Sequence, residues 1–303
     1  MKKVFVSALL LGASVIGYAQ LLNVASIEKV ALPEGTSINT ATMSPDGSYI
    51  AITKKQTAGI HKLGLASSEI TTISETGNGY GLTISKDGQQ VVFKDVTVGK
   101  DKLRRTALKS TDLATGKTTT LVKPTRNLQG FTVNNSTVLS VDKGKVSTKS
   151  LNGTVVTAAP VASIEYGRLM LTVNGKTTNI SPQGSEGQSY LWPSVSPDGT
   201  RVLYYLSGKG AYICNLDGSN PVYLGQIRAA QWYDNETVVG MNDTDDGYVI
   251  TSSQIVAVKA DGKIGQNLTE ESSMAMYPTV SSDGSKIAYI TPAGDLHIIN
   301  ITK

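Results

Sequence analysis

A short turn of the form Ser-Pro-Asp-Gly recurs along this chain, and each copy stands directly before a run of apolar residues. The copies, two identical and two changed at one position, occupy residues 44–47, 85–88, 196–199 and 281–284. Proline pre-sets the backbone of the turn, aspartate bonds back to its own backbone, and glycine takes the positive φ that closes it. The runs that follow are rich in Val, Ile and Tyr, which favour strands. The pattern therefore predicts a repeated strand–turn–strand unit.

The spacing of these turns predicts the architecture. Two weaker copies, at residues 134–139 and 235–239, fit the same frame, so the turn positions are 46, 87, 134, 198, 235 and 283. Most neighbours are 37 to 48 residues apart, and the end of the chain joined to residue 20 completes a sixth interval of 46. Repeats of about 40 to 50 residues with four short strands are typical of β-propeller blades. We therefore predict an all-β fold, a six-bladed β-propeller with seven blades as the alternative.

Two stretches do not fit the regular repeat. The interval between positions 134 and 198 is 64 residues, too long for one blade and short for two. Residues 146–151 and 154–157 are interpreted as the last two strands of the third blade, so residues 169–180 are a surplus hairpin around Asn-Gly, either an insertion or a reduced seventh blade. The last repeat has room for only three strands. Residues 24–29 are expected to supply its outer strand and close the ring.

The N-terminus has the three zones of a secretory signal. Lys2 and Lys3 precede an apolar core at residues 4–16, and Ala19 is a small residue suited to cleavage before Gln20. An uncleaved anchor is the alternative, but the core is shorter than the ~20 residues that span a bilayer. We predict a signal peptide at residues 1–19, a propeller domain at residues 20–303, and a periplasmic or extracellular protein without a membrane span. No cysteine lies near the cleavage site, so the lipid attachment of bacterial lipoproteins is not expected.

The net charge limits which partners are expected, and the single cysteine limits disulfide and thiol chemistry. Without Lys2 and Lys3 the sequence has 26 basic against 24 acidic residues, and so small a net charge predicts no nucleic-acid partner. Cys214 is the sole cysteine of the sequence, which excludes an internal disulfide. It lies in a strand-like run and is expected to be a small buried filler rather than a reactive thiol.

Two segments resemble a known family. The sequences Tyr-Pro-Thr-Val-Ser-Ser-Asp-Gly-Ser-Lys-Ile-Ala-Tyr at residues 277–289 and Pro-Ser-Val-Ser-Pro-Asp-Gly-Thr-Arg-Val-Leu at residues 193–203, with Asp-Gly-Ser-Asn-Pro at residues 217–221, are similar to the WD40-like PD40 repeat of TolB-like β-propellers. The resemblance implies a six-bladed propeller of the periplasm or cell surface that binds proteins or small ligands. Propeller strands are expected directly after the signal, without the N-terminal α/β domain of TolB. The resemblance extends to the propellers of prolyl oligopeptidases and dipeptidyl peptidases, whose hydrolase domain is not expected here.

The sequence contains no recognisable catalytic or metal-binding set. The Gly-x-Ser-x-Gly elbow of serine hydrolases does not occur, and His61 and His297 fall at the same repeat position, which favours a structural role. The acidic segment 242–247 lacks the glutamate that completes a calcium loop, so a solvated hairpin loop is favoured over a Ca²⁺ site. The basic run 100–105 is interpreted as a solvated loop. We predict no cofactor, no metal and no enzymatic activity.

Two classes of function remain after these exclusions. The first is a non-catalytic binding or scaffold propeller of the cell envelope, a monomer that takes a protein partner or a small ligand at one face. The alternative is a propeller enzyme, a hydrolase or lyase, whose residues converge in the central channel from several blades. Clustered carboxyl groups with perturbed pKa values in the channel would indicate the enzyme.

The candidate binding residues are three aromatic side chains near the starts of innermost strands. Trp192 and Tyr277 each stand six residues before a turn aspartate and are each followed by proline, and Tyr80 stands seven before Asp87. Loops at one end of a rigid repeat scaffold are the usual place for binding, and Trp and Tyr are enriched in binding hot spots. The alternative is that these side chains only wedge adjacent blades apart.

Overall fold

The computed structural model describes residues 17–18, 20–55, 57–152 and 159–302, the first two by backbone alone. The predicted signal peptide lies outside this part apart from that pair. The described residues form seven sheets and, as the only helical element among them, one 3₁₀ turn at Glu271–Ser273. No described helix is long and apolar enough to span a bilayer. The predicted all-β propeller class is confirmed, with seven blades rather than six.

The strands follow one another in blade order. Before the first blade come β1 (Gly17–Tyr18) and β2 (Asn23–Lys29). Blade 1 contains β3 (Ile38–Met43), β4 (Tyr49–Lys54), β5 (Ile60–Gly64) and β6 (Ile70–Ser74). Blade 2 contains β7 (Thr83–Ile84), β8 (Gln90–Val98), β9 (Arg104–Asp112) and β10 (Thr118–Thr125). Blades 3 and 4 have three strands each: β11 (Leu128–Asn134), β12 (Thr137–Asp142) and β13 (Lys145–Ser150), then β14 (Val161–Glu165), β15 (Arg168–Val173) and β16 (Lys176–Asn179).

The second half of the ring is more regular. Blade 5 contains β17 (Tyr190–Val195), β18 (Arg201–Leu206), β19 (Gly210–Asn215) and β20 (Val222–Gly225). Blade 6 contains β21 (Arg228–Trp232), β22 (Thr237–Asp245), β23 (Ile250–Lys259) and β24 (Ile264–Asn267). Blade 7 contains β25 (Met276–Val280), β26 (Lys286–Ile290) and β27 (Leu296–Thr302), with β2 as its fourth strand. The third strands of blades 1, 2, 6 and 7 are β5, β9, β23 and β27.

The blades are arranged around a channel by their first strands. Each of these seven strands contacts the first strand of the next blade, and β25 of blade 7 contacts β3 of blade 1. Seven clusters of buried apolar side chains lie between consecutive blades. Among the described residues, the clusters on either side of blade 3 are the smallest. The core is therefore a ring of blade-to-blade contacts that is thinnest around blade 3.

The expectation of six blades is wrong because the surplus hairpin belongs to a complete small sheet. β15 and β16 are the predicted hairpin, and β14 pairs with β15 as a third strand. Both of its turns have two residues with positive φ, Tyr166-Gly167 and Asn174-Gly175, so this blade has no Ser-x-Asp-Gly turn to mark it. The predicted strand 154–157 lies outside the described residues.

The N-terminal strand lies where the sequence placed it. β2 pairs antiparallel with β27, from Asn23 opposite Thr302 to Lys29 opposite His297, and so forms the outer edge of blade 7. The backbone pair of β1 lies parallel to β24 of blade 6. Whether β2 is needed to close the ring stays a prediction.

The recurring turns have one geometry. In each, the serine hydroxyl donates to the aspartate at 2.5 to 2.8 Å, and the backbone N–H two residues past the aspartate donates to the same carboxylate at 2.9 to 3.1 Å. The four serines are buried and the four glycines have φ between 64° and 74°. The turn aspartates are therefore occupied by their own turns, as the sequence predicted.

Candidate functional site

The two ends of the propeller differ in what they expose. One end, here called the turn face, contains the turns between the first and second strands of the blades. The opposite end, here called the loop face, contains the links between blades and the loops between second and third strands. Among the side chains that the structure describes, the exposed large apolar ones belong to the loop face except for Ile27, Tyr166 and Tyr223; the eight on the loop face are Tyr80, Val96, Val98, Leu103, Trp192, Tyr248, Val249 and Tyr277. Apolar surface concentrated on one end of a soluble protein marks an interaction site.

A repeated β-bulge presents side chains at the channel mouth. The register between first and second strands shifts on either side of Trp192, Ala229 and Tyr277, and these residues have φ of 49°, 48° and 53°. All three stand six residues before their turn position, as does Gly81, with φ of 71°. Bulges of this kind re-aim a side chain and are frequent beside functional sites. The left-handed backbone costs energy at residues other than glycine.

The predicted aromatic residues share one rim but not one patch. Trp192, Tyr277 and Tyr80 lie on blades 5, 7 and 2, so they surround the channel mouth. Trp192 is 50% exposed and packs its ring against Tyr205, with 5.4 Å between centroids. Tyr277 is 46% exposed, and Tyr80, in the link before β7, is 70% exposed. An occupant of the mouth could contact all three from different sides.

Two hairpins are longer than the others and project from the loop face. The β8–β9 hairpin of blade 2 and the β22–β23 hairpin of blade 6 have strands of nine or ten residues. Each has a buried aspartate eight residues after its turn position: Asp95 is 2.5 Å from Lys109 Nζ, and Asp243 accepts a bidentate pair from Arg228, whose Nε is 2.9 Å from Oδ1. The Asp243 side chain, by bonding to the guanidinium, raises the pKa of Arg228. These pairs fix the bases of both hairpins.

Lys94 differs from these paired charges. It precedes Asp95 and extends its ammonium toward blade 3, 5.9 Å from the centre of the Phe131 ring. Burial lowers the pKa of Lys94, and among the described residues no carboxylate lies within 4.0 Å of it. The Asn78 backbone N–H donates to the Lys94 carbonyl at 3.1 Å, and the buried Asn78 side-chain oxygen has no partner among the described atoms. The Lys94 ammonium toward blade 3 and the Asn78 side-chain oxygen in the link between blades 1 and 2 therefore have no ion-pair or hydrogen-bond partner, respectively, among the described residues.

Charge is distributed unevenly around the ring of blades. Residues 77–152, which contain blades 2 and 3, have 13 Lys and Arg against five Asp and Glu, whereas the whole sequence has 28 against 24. Residues 228–273, which contain blade 6 and the link after it, have three against eight. A net charge near zero for the chain therefore conceals a basic sector and an acidic sector. The sequence reasoning missed this asymmetry, although summing charge blade by blade would have found it.

The two histidines and the cysteine, the residues considered for catalysis or metal binding, lie in blade strands away from the channel mouth. His61 is buried in β5, its Nδ1 3.4 Å from the Thr72 hydroxyl, and His297 in β27 stacks on Tyr289 with 4.9 Å between ring centres. Burial lowers the pKa of both histidines. Cys214 is buried in β19, and burial raises its pKa to about 12. The expected positions of all three in blade strands are confirmed.

No catalytic or metal-binding cluster emerges from the part of the chain that is described. Every carboxyl group there with a clearly shifted pKa is shifted down, by hydrogen bonds or by an ion pair, and no three of its His, Cys, Asp or Glu residues could hold one ion. Residues 242–247 form the end of the blade 6 hairpin, where Asp246 accepts from the N–H groups of Tyr248 and Val249.

An open cleft of about 670 Å³ lies between β2 and blade 6, lined by Gln254, Glu270 and other polar residues.

Comparison with known proteins identifies the fold. No family model and no curated protein sequence matches the chain. A chain of the mitotic checkpoint complex aligns with a TM-score of 0.59 at 11% identity, over 98% of this chain and 100% of that chain. The putative TolB of Agrobacterium tumefaciens aligns with a TM-score of 0.52 at 14% identity, over 91% and 97%. An oligogalacturonate lyase of Vibrio parahaemolyticus aligns with a TM-score of 0.49 at 15% identity, over 89% and 80%. At these identities the matches with TM-scores above 0.5 show the fold alone, the β-propeller fold that this chain shares with the putative TolB.

Proposed function

We propose that this chain is a non-catalytic binding propeller of the cell envelope, which captures a protein or small-ligand partner at the mouth of the loop face. The observation that carries the proposal is the concentration of exposed apolar side chains on that face, with Trp192 and Tyr277 presented on left-handed bulges. Half-exposed aromatic rings bring large contact area at low entropic cost.

The residue at the equivalent bulge of another blade supports a binding role for Trp192 and Tyr277, rather than a role in holding adjacent blades apart. Blade 6 has Ala229 at the bulge position that Trp192 and Tyr277 occupy in blades 5 and 7, so the bulge does not require a large ring. A side chain that the fold does not require, left half-exposed at a channel mouth, is available for a partner. Export is inferred from the signal-like sequence at residues 1–19, which places the partner in the envelope or outside the cell.

Capture from an envelope extract tests the proposal. The chain from residue 20 onward would be immobilised, and retained proteins and small molecules identified. We expect Trp192→Ala combined with Tyr277→Ala to abolish capture while the melting temperature changes little, because alanine already occupies the equivalent bulge in blade 6. The matched control is Tyr166→Ala combined with Tyr223→Ala, two exposed tyrosines off the loop face, the first also with positive φ.

The outcomes separate the two interpretations. Capture that survives in the Trp192/Tyr277 variant, or is lost equally in the control, contradicts binding at this mouth. A large fall in the melting temperature of the same variant would assign both side chains to packing between blades.

A further inference from the structure

A basic shelf lies between the blade 2 hairpin and blade 3. Residues 92, 94, 96 and 98 share one side of β8 because side chains alternate along a strand. Val92 packs on blade 3 and Lys94 reaches Phe131 there, so this side faces blade 3. Blade 3 turns back at a two-residue loop, Lys143-Gly144, and leaves the outer half of the hairpin uncovered. Val96 and Val98 are 41% and 64% exposed. The same face exposes basic residues at the end of the hairpin, in the link to blade 3 and at the β12–β13 turn: Lys100, Lys102, Arg104, Arg126, Lys143 and Lys145.

The end of the blade 6 hairpin has the complementary composition. Asp245, whose Oδ2 lies 3.2 Å from Arg228 Nη2 of its own blade, and Asp246 are exposed, and beside them Tyr248 and Val249 are 96% and 62% exposed. Glu270 and Glu271, in the link after blade 6, add two exposed carboxylates on the same face. The chain thus has an apolar and acidic projection, here called the acidic tip, together with an apolar and basic shelf that matches it in chemistry.

The acidic tip cannot reach the shelf of its own molecule. The shelf lies between blades 2 and 3 and the acidic tip on blade 6, which places them three and a half blades apart in a ring of seven, that is, half a turn. When two copies meet by their loop faces about a twofold axis, the tip of each can face the shelf of the other. The two contacts then lie on opposite sides of the channel, where together they resist tilting of one copy against the other.

We propose that this protein self-associates face to face, with the acidic tip of blade 6 in each copy seated on the basic shelf of the other. The contact combines burial of Tyr248, Val249, Val96 and Val98 with ion pairs between the two sectors. It goes beyond the proposed function, since it covers the channel mouth: partner capture through Trp192 and Tyr277 must compete with the second copy. Because most of the paired charges are exposed, the association weakens as ionic strength rises.

A charge-swap experiment tests this arrangement by sedimentation velocity over a range of protein and salt concentrations. The shelf variant is Arg104→Glu with Lys143→Glu, and the tip variant is Asp245→Lys with Asp246→Lys. Each alone should raise the dimer dissociation constant roughly tenfold or more, because like charges then face each other. An equimolar mixture of the two should dimerise like the wild type, since the shelf variant retains a native tip for the native shelf of its partner and both swapped surfaces are again complementary.

Two controls show whether an effect on the dimer comes from the position of the substituted charges, from unfolding, or from the change in net charge. Lys86→Glu with Lys117→Glu makes the same change in net charge on the turn face of blade 2, where both side chains are exposed, and should leave the dimer unchanged. If the tip variant unfolds, Asp245→Asn with Asp246→Asn replaces it as a single variant only, because amide oxygens can keep the loop hydrogen bonds; it should weaken the dimer, and the mixture is then not used as a test. Melting temperatures are recorded for every variant.

Four results decide the proposal. A wild-type protein that stays monomeric at low salt overturns it, as does a dimer that both variants leave intact. A mixture that fails to dimerise when both variants are folded also overturns it. Restored association in the mixture supports it. Failure of partner capture by the Trp192/Tyr277 variant is measured separately, so either idea can fall without the other.

Discussion

Gln266 offers the sharpest test of how the N-terminal segment is held to the ring. It lies in β24, and its side-chain oxygen accepts from the N–H groups of Leu21 and Leu22 at 2.7 and 2.8 Å, while its amide donates to the Leu22 carbonyl at 2.9 Å. Leu22 is buried in the apolar cluster between blades 6 and 7. Since β2 begins at the next residue and pairs with blade 7, one side chain of blade 6 fastens the segment that completes blade 7.

Gln266→Met removes these three hydrogen bonds at nearly constant volume. A hydrogen bond of this kind contributes about 1 kcal/mol net. The site is only part-buried, so water recovers some of the loss for the freed Leu21 and Leu22 groups, and we expect the free energy of unfolding to fall by about 2 kcal/mol. For a domain of this size, with an unfolding entropy of about 0.6 kcal/mol/K, that corresponds to a melting temperature lower by about 3 to 4 °C.

Urea unfolding of the chain from residue 20 onward measures the effect. The control is Gln231→Met, an exposed glutamine in the first strand of the same blade, which should change stability by less than about 0.5 kcal/mol. Deleting residues 20–33 should destabilise more than Gln266→Met, because β27 then becomes an open edge, and a peptide of residues 20–33 added in trans should restore part of the loss. A Gln266→Met protein as stable as the control, or a deletion that melts like the intact chain, refutes this account of ring closure.

Three further predictions follow from buried or bonded side chains. Cys214, with its raised pKa, should react with thiol reagents only as fast as the protein unfolds, which parallel labelling and unfolding kinetics would check. The Ser196 hydroxyl and the backbone hold the pKa of Asp198 below its ordinary value, against a small opposing effect of burial. The stabilisation that the ionised Asp198 provides is therefore present above about pH 4 and is lost as the pH falls through the folded-state pKa. In the Asp198→Asn variant, the urea midpoint should fall less steeply as the pH is lowered than it does in the wild type. Arg228→Met leaves the buried Asp243 carboxylate without its guanidinium partner and should lower the free energy of unfolding by about 3 kcal/mol, which urea unfolding at neutral pH would measure.

Much of the fold could be predicted because the same turn chemistry repeats. Ser-x-Asp-Gly needs serine, aspartate and glycine at fixed places to satisfy its own hydrogen bonds, and so it stayed recognisable in blades 1, 2, 5 and 7. Blade 4 uses Tyr166-Gly167 and Asn174-Gly175 instead, which close a hairpin equally well without that signature. The blade count failed there because a two-residue turn constrains the sequence less than a hydrogen-bonded serine turn does.

The candidate site was only partly predictable for a different reason. The periodic position of Trp192 and Tyr277 showed that they share a rim, but a left-handed bulge at Trp or Tyr has no composition signal comparable to Gly or Asn. Gly81 at the same distance from its turn was the available clue. The basic shelf was not predicted from the sequence. Predicting it would have required recognising β8 as a nine-residue strand that extends beyond blade 3. The sequence of a strand does not show how much of it a neighbouring blade leaves uncovered.

The backbone conformation of the bulges bears on why aromatic residues occupy the channel mouth. Left-handed backbone at a non-glycine residue costs roughly 1 kcal/mol or more, and glycine relieves that cost, as at Gly81. Blades 5 and 7 instead keep large aromatic rings there, which bear the backbone cost and leave half of each ring in water. Backbone conformation alone favours glycine at these positions, yet Ala229 also bears that cost, and the Trp192 ring packs on Tyr205. What distinguishes Trp192 and Tyr277 from Ala229 is a half-exposed ring, and the proposed contact with a partner at the mouth gives that ring a use.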